Sequence, residues 1–146
     1  MTNEAVPITL LGNKGTGDVV RFTVAAGTAV SAGTIMHLLD PVTAVKTAGA
    51  AGEAAGTHYF AGIAATDKDS SDPSTTLGLW TNGIFDIRAA GSENISAGQL
   101  VKISGANTVA LMDVDVGESQ GIIVGKALED VASGTAETIA VLVGAR

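Results

Sequence analysis

The chain has 146 residues, 46% of them hydrophobic but only 3% aromatic, with 19 glycines, no cysteine and a formal net charge of −7. That length suits one domain or two very small ones, with a core that must be built from Val, Ile, Leu and Ala. The absence of cysteine excludes disulfides and zinc–thiolate or iron–sulfur sites, and an acidic chain with 8 Lys+Arg and no basic patch is not built for nucleic acid.

Glycine-punctuated short β-branched runs point to an all-β chain. The start, MTNEAVPITLLGNKG, has neither a basic flank nor a long apolar core, so no signal peptide is expected. No apolar run approaches the ~20 residues of a membrane span, and no membrane association is expected. The low charged fraction of 16% fits a protein that buries much of its surface in an assembly, and equally one simply rich in small aliphatic residues.

In chain order, residues 1–18 read as an N-terminal arm and a Gly-rich joint, and 19–146 as a single β domain. Pro7 keeps the arm out of a central strand position. The joint Gly12–Asp18 does not satisfy a phosphate-binding loop, because no Ser/Thr follows Lys14 and a strand comes next. Strands are expected over Val19–Val24 and Thr34–Leu39, then an Asp40-Pro41 turn and a short partner strand at Val42–Lys46. Thr47–Thr57 reads as an Ala/Gly loop. Tyr59–Ala65 reads as a strand, and Thr66–Thr75 is the most polar loop of the chain. Further strands are expected over Gln99–Ser104, Thr108–Met112, Gly121–Leu128 and Glu137–Val143.

Tyr59–Ile87 holds four of the five aromatic residues. Within it, Asn82-Gly83 after an apolar run predicts a β-hairpin. A three-residue Thr81-Asn82-Gly83 loop would pair Leu79 with Phe85 and Leu77 with Ile87, giving one apolar face. A two-residue turn would scatter those four residues, and a one-residue slip flips every side chain. The opposite face then carries Trp80 and Ile84. These two need cover, from the same chain or from another subunit, and are the candidate subunit-interface residues.

The two halves repeat. Val30-Ser31-Ala32-Gly33 returns as Ile95-Ser96-Ala97-Gly98, an offset of 65. Gly62-Ile63-Ala64 returns as Gly125-Lys126-Ala127, and Thr75-Thr76-Leu77 as Thr138-Ile139-Ala140, both at 63. Duplicated β-units follow, about 30–88 and 95–146, forming one compact barrel-like body.

The motifs for chemistry fail one by one. His37 and His58 read as ordinary strand histidines, and Ser31 and Ser96 lie in turns without triad partners. Asp67, Asp69 and Asp72, like Asp113, Asp115 and Glu118, resemble calcium ligands in type but not in EF-hand order, so solvated loop carboxylates are the reading. Lys68 in a Thr-Asp-Lys context resembles the lysine of a lipoyl carrier. A small β-barrel carrier or ligand-binding module is therefore the alternative function. No catalytic residue, metal or cofactor is expected.

The [VI]SAG-x-hydrophobic pattern at Val30–Met36 and Ile95–Val101, each followed by a Gly-x-Ala strand, resembles the capsid decoration (cement) proteins of tailed phages. The segment Met36–Phe85 is similar in order to lambda-type head decoration proteins: Gly62-Ile63-Ala64-Ala65, Ser74-Thr75-Thr76-Leu77, then Gly83-Ile84-Phe85. The resemblance implies a β-tulip-like protomer without enzymatic activity, made in the host cytoplasm and carried on the outer capsid surface of the virion. It implies a homotrimer bound to the major capsid protein at three-fold and quasi-three-fold sites of the expanded shell. It further implies a capsid-binding arm, here Thr2, Asn3, Glu4, Ala5, Val6, Pro7, Ile8, Thr9, Leu10 and Leu11.

Overall fold

The structure is a computed structural model that describes residues 4–11, 17–38, 48–50, 59–112 and 122–144. The expected turn at Asp40-Pro41, the strand at Val42–Lys46, His58 and the carboxylates Asp113, Asp115 and Glu118 lie outside the described residues. So do Thr2, Asn3 and most of the Gly-rich joint.

The described residues form eleven strands and no α-helix. They are β1 (Val6–Thr9), β2 (Val19–Thr23), β3 (Ile35–Leu38), β4 (Ala48–Ala50), β5 (Phe60–Ala64), β6 (Thr76–Trp80), β7 (Gly83–Ala89), β8 (Leu100–Ile103), β9 (Thr108–Leu111), β10 (Ile123–Ala127) and β11 (Thr138–Val143). The all-β reading holds, and the body is a pair of curled sheets. One has the order β2-β6-β5-β3-β4. The other has the order β1-β7-β11-β10-β8-β9, with a parallel β7–β9 pairing that closes it on itself. Where the sequence reads a loop at Thr47–Thr57, the chain forms β4, paired antiparallel with β3.

Setting β1 aside, the two orders are the same, and the sequence repeat is a repeat of hydrogen bonds. Gly33 N–H donates to Ala64 O as Gly98 N–H does to Ala127 O, both at 2.8 Å. Val30 bridges Lys68, and Ile95 bridges Val131. Asp67 Oδ1 accepts from Ala32 N, and Asp130 Oδ1 from Ala97 N. Met36 faces Gly62 and Val101 faces Gly125, each beside a bulge. At the last strand the correspondence is Thr76 to Thr138, an offset of 62, one less than the Thr75-based alignment gives. Leu128 N–H to Ala140 O then matches Ala65 N–H to Gly78 O.

The expected β6–β7 hairpin does not form. β6 pairs with β2 and β5, whereas β7 pairs with β1, β11 and β9, so Thr81-Asn82 is a crossing between sheets. Consequently β7 opens the second unit and does not close the first at residue 88. The inward face is nevertheless the predicted one, since Leu77, Leu79, Phe85 and Ile87 are all buried. Alternation decides which side chains turn in. It does not decide which strand lies alongside.

The largest buried cluster joins both units. Ile35 and Ile63 of the first sheet lie with Phe85, Ile87, Val101, Val109, Val124 and Val141 of the second. A smaller cluster of Phe22, Val24, Val30, Met36, Leu77 and Leu79 fills the first sheet's own concavity. Across the seam, Ile35 N–H donates to Asn107 Oδ1 at 2.9 Å. Asn107 is buried and held at φ 55°, in the left-handed region that asparagine tolerates better than most residues.

Candidate functional site

The expected arm is not separate from the body. β1 lies antiparallel on β7, with Val6 opposite Asp86, Pro7 opposite Phe85 and Thr9 opposite Ile84. Ala5 is buried, and its N–H donates to Gly33 O at 2.7 Å. The register explains Pro7. Ala89 N–H donates to Glu137 O, just before β11, so alternate residues Ile84 and Asp86 turn their backbone groups toward β1. Val6 is then the hydrogen-bonded partner and Pro7 turns its missing donor outward, the position where an edge strand accepts proline.

This seating leaves an apolar strip on the surface. Val6 is 58% exposed and Ile8 52%, with Leu11 exposed beyond them. Thr9 lies within the strand, and Leu10 packs against the main core. Glu4 sits next to the Gly33 turn. Apolar side chains held out on a fixed edge strand form a surface suited to another protein, since exposed apolar residues clustered together mark interaction sites.

The arm and the candidate interface residues meet. Ile84 faces Thr9 on β1 and Leu142 on β11. Trp80 packs against the main cluster, with its ring centroid 5.6 Å from that of Phe85 at 45°. A Cβ on Gly17 would stand 2.8 Å from Trp80 Nε1, so glycine lets the backbone lie over the indole. The cover these two residues need comes largely from their own chain, and each keeps partial exposure.

Lys68 is the residue on which a carrier function would turn. It is 4% exposed, and its Nζ donates to Asp72 O at 3.0 Å and Thr28 O at 3.3 Å. The amine is therefore turned inward, holding the Asp69–Ser74 loop against the turn at Thr28. The equivalent position in the second unit is Val131, also buried. Asp67 and Asp72 spend carboxylate oxygens on Ala32 N and Ser74 N, each at 2.8 Å. Among the described residues no three His, Cys, Asp or Glu side chains are grouped to hold a metal. Lys68→Ala should cost about 2 kcal/mol, the range for hydrogen bonds from a charged donor, and should speed proteolysis within 69–74. Denaturant unfolding and limited digestion measure both, and an unchanged digestion pattern would mean that Lys68 does not hold the loop.

Three features escape a sequence reading: the Gly33 turn as the seat of Ala5, Asn107 as the link between units, and β2 as an exposed edge. Only the last has a signal. Val19-Val20 is apolar at both parities, where a half-buried strand alternates.

No curated protein sequence matches this chain. Among solved structures, it is similar to the N base of the head fiber gp8.5 in bacteriophage phi29, at a TM-score of 0.47 and 18% identity, covering 85% of this chain and 94% of that one. The model of the phage cement protein family matches residues 14–143, which takes in both β-units from β2 to the end of β11, and the chain belongs to that family.

Proposed function

We propose that this chain is a non-enzymatic cement protein that binds as a trimer to the major capsid protein at three-fold and quasi-three-fold sites on the outside of an expanded capsid, and stabilises it. The observation that carries the reading is the family match over nearly the whole chain. The apolar strip on β1 supports it with a candidate contact surface.

The energetics follow from mass action. A ligand that binds only the expanded shell stabilises it by RT ln(1 + [L]/Kd), about 2.7 kcal/mol per site at a hundredfold excess over Kd. Many sites on one shell make a modest affinity sufficient, and trimerisation multiplies weak contacts. In this reading Val6, Ile8 and Leu11 touch the shell, Ala5, Pro7, Thr9 and Leu10 set their position, and Thr2, Asn3 and Glu4 extend the contact. The partly exposed edges of Trp80 and Ile84 face a neighbouring subunit, and residues 19–146 act as one platform.

The test is addition of the purified protein to expanded, undecorated capsids, with density sought at three-fold sites. Deleting Thr2–Leu11 would also strip β7 of its edge partner, so the informative variant is Val6→Ser/Ile8→Ser, which changes only exposed side chains. Binding should fall about tenfold or more for the loss of two buried aliphatic contacts, with the melting temperature unchanged. Binding equal to the parent would remove β1 from the contact surface, and capsids left bare by the parent protein would remove the function.

A further inference from the structure

The repeat sets each place in one unit beside its counterpart in the other. β2 and β7 are the equivalent first strands. β7 carries β1 on its outer edge at Ile84 and Asp86 and β9 beyond them at Arg88, whereas among the described residues nothing pairs with the outer edge of β2. The edges match in detail. Val24 N–H donates to Thr75 O as Ala89 N–H does to Glu137 O, so Val19, Arg21 and Thr23 turn their backbone groups outward as Ile84, Asp86 and Arg88 do. On β7, Ile84 and Asp86 meet Thr9 and Val6 of β1. On β2, Val19 is 48% exposed and Val20 36%. Proline blunts the outer edge of β1. No proline or bulge blunts β2, and an open apolar edge is a template for strand addition.

Beside that edge lies a cleft of about 320 Å³, lined by Val19, Arg21, Ala65, Thr66, Thr76, Leu77 and Gly78. In the second unit the counterparts of Ala65 and Thr66 are Leu128 and Glu129. There Glu129 Oε2 accepts from Ala140 N at 2.9 Å, and Ala140 stands where the first unit has Gly78. The second unit thus supplies a larger aliphatic side chain and a carboxylate from its own chain, and the first supplies neither. Arg21 also stands where the second unit has Asp86, so the cleft has a cation at its wall.

We propose that β2 and this cleft take an extended segment of the shell protein, added antiparallel to β2 as β1 is to β7, with an aliphatic side chain in the cleft and a carboxylate on Arg21. The proposal rests on the capsid-binding function above and names a second contact for it. Main-chain hydrogen bonds give such an addition its affinity, and the side-chain pocket gives it selectivity. A second copy of this chain fits the site less well. Joining β2 to β2 would bring Arg21 toward Arg21, and Val19–Thr23 contains no carboxylate to meet it.

The experiment uses two variants of the full chain in capsid co-sedimentation. Arg21→Glu reverses the charge at the cleft wall. Ala65→Leu/Thr66→Glu grafts the second unit's own pair into the first, filling the cleft from within. Both should keep the parent's circular dichroism and melting temperature, and both should bind expanded capsids about tenfold or more weakly, the graft serving if the charge reversal disturbs the fold. Parent-like binding by folded variants overturns the proposal while leaving the capsid function standing. Loss of self-association in sedimentation, with capsid binding retained, also overturns it, and assigns the edge to a second copy. A parent protein that leaves capsids bare sinks the function and the proposal together.

Discussion

Gly33→Ala should destabilise the protein far more than Gly98→Ala, although the two glycines are repeat equivalents with nearly the same backbone. Their φ angles are +87° and +94°, so a side chain at either is strained by about 1–2 kcal/mol. A Cβ on Gly98 meets nothing within 4 Å, whereas one on Gly33 would stand 2.3 Å from Ala5 O and 2.9 Å from Glu4 Cβ. Those atoms are the backbone and root of the docked N-terminal strand, which cannot shift without giving up the Ala5–Gly33 hydrogen bond and the burial of Ala5. Gly98→Ala should therefore lose only the conformational cost. Gly33→Ala should add the detachment of β1, for a total of about 3–5 kcal/mol when the strain is combined with a lost hydrogen bond and lost burial. Denaturant unfolding gives the energies, and limited proteolysis within residues 4–11 reports detachment. Equal losses for the two variants, with no new cleavage, would show that Gly33 does not seat the strand.

Phe85→Ala should cost about 3–5 kcal/mol, the range for removing a fully buried aromatic ring. Phe85 is fully buried on the central strand β7 and sits in the cluster that joins the units. The void would open between the sheets, where neither can collapse without separating from the other. Phe22→Ala should cost less, because Phe22 retains some exposure and lies in the smaller cluster of the first sheet. The fluorescence of Trp80, the one tryptophan in the chain, should change in Phe85→Ala because the rings are neighbours. Similar losses for the two variants would mean that the seam between the units carries no special share of the stability.

Most strands were legible from alternation and glycine punctuation, and the duplication was legible from three short echoes. The echoes proved to mark conserved hydrogen bonds within the one chain: the Ser-Ala-Gly turns donate to the same strand ends in each unit. Strand neighbours were not legible. Asn82-Gly83 does mark a sharp change of direction, but Gly83 adopts a φ of +131° beneath Thr9 O, so the turn hands the chain to the other sheet. Leu77, Leu79, Phe85 and Ile87 point inward in either arrangement, which is why the pattern could not separate the two. At the candidate site, Pro7 announced an edge strand. Nothing in residues 1–11 announced that the edge belongs to β7 of the same chain, because that contact depends on a partner about 80 residues away. Lys68 likewise looks like an exposed loop lysine until its two carbonyl partners are placed around it.

The position of β1 has a kinetic consequence. β1 precedes the whole first unit in the chain yet completes the second, and Val6 waits for Asp86. At about 5–20 residues per second, the ribosome takes on the order of 4–16 s to make the intervening chain. During that interval the first unit can close while β1 is still unattached, and β2, nine residues (10–18) further along the chain, offers it an edge of the same design. Docking there would be a misfolded hairpin that must dissolve before the native pairing forms. The proline at position 7 cannot donate a hydrogen bond, which limits the lifetime of such a mispaired strand whenever its nitrogen faces the wrong edge.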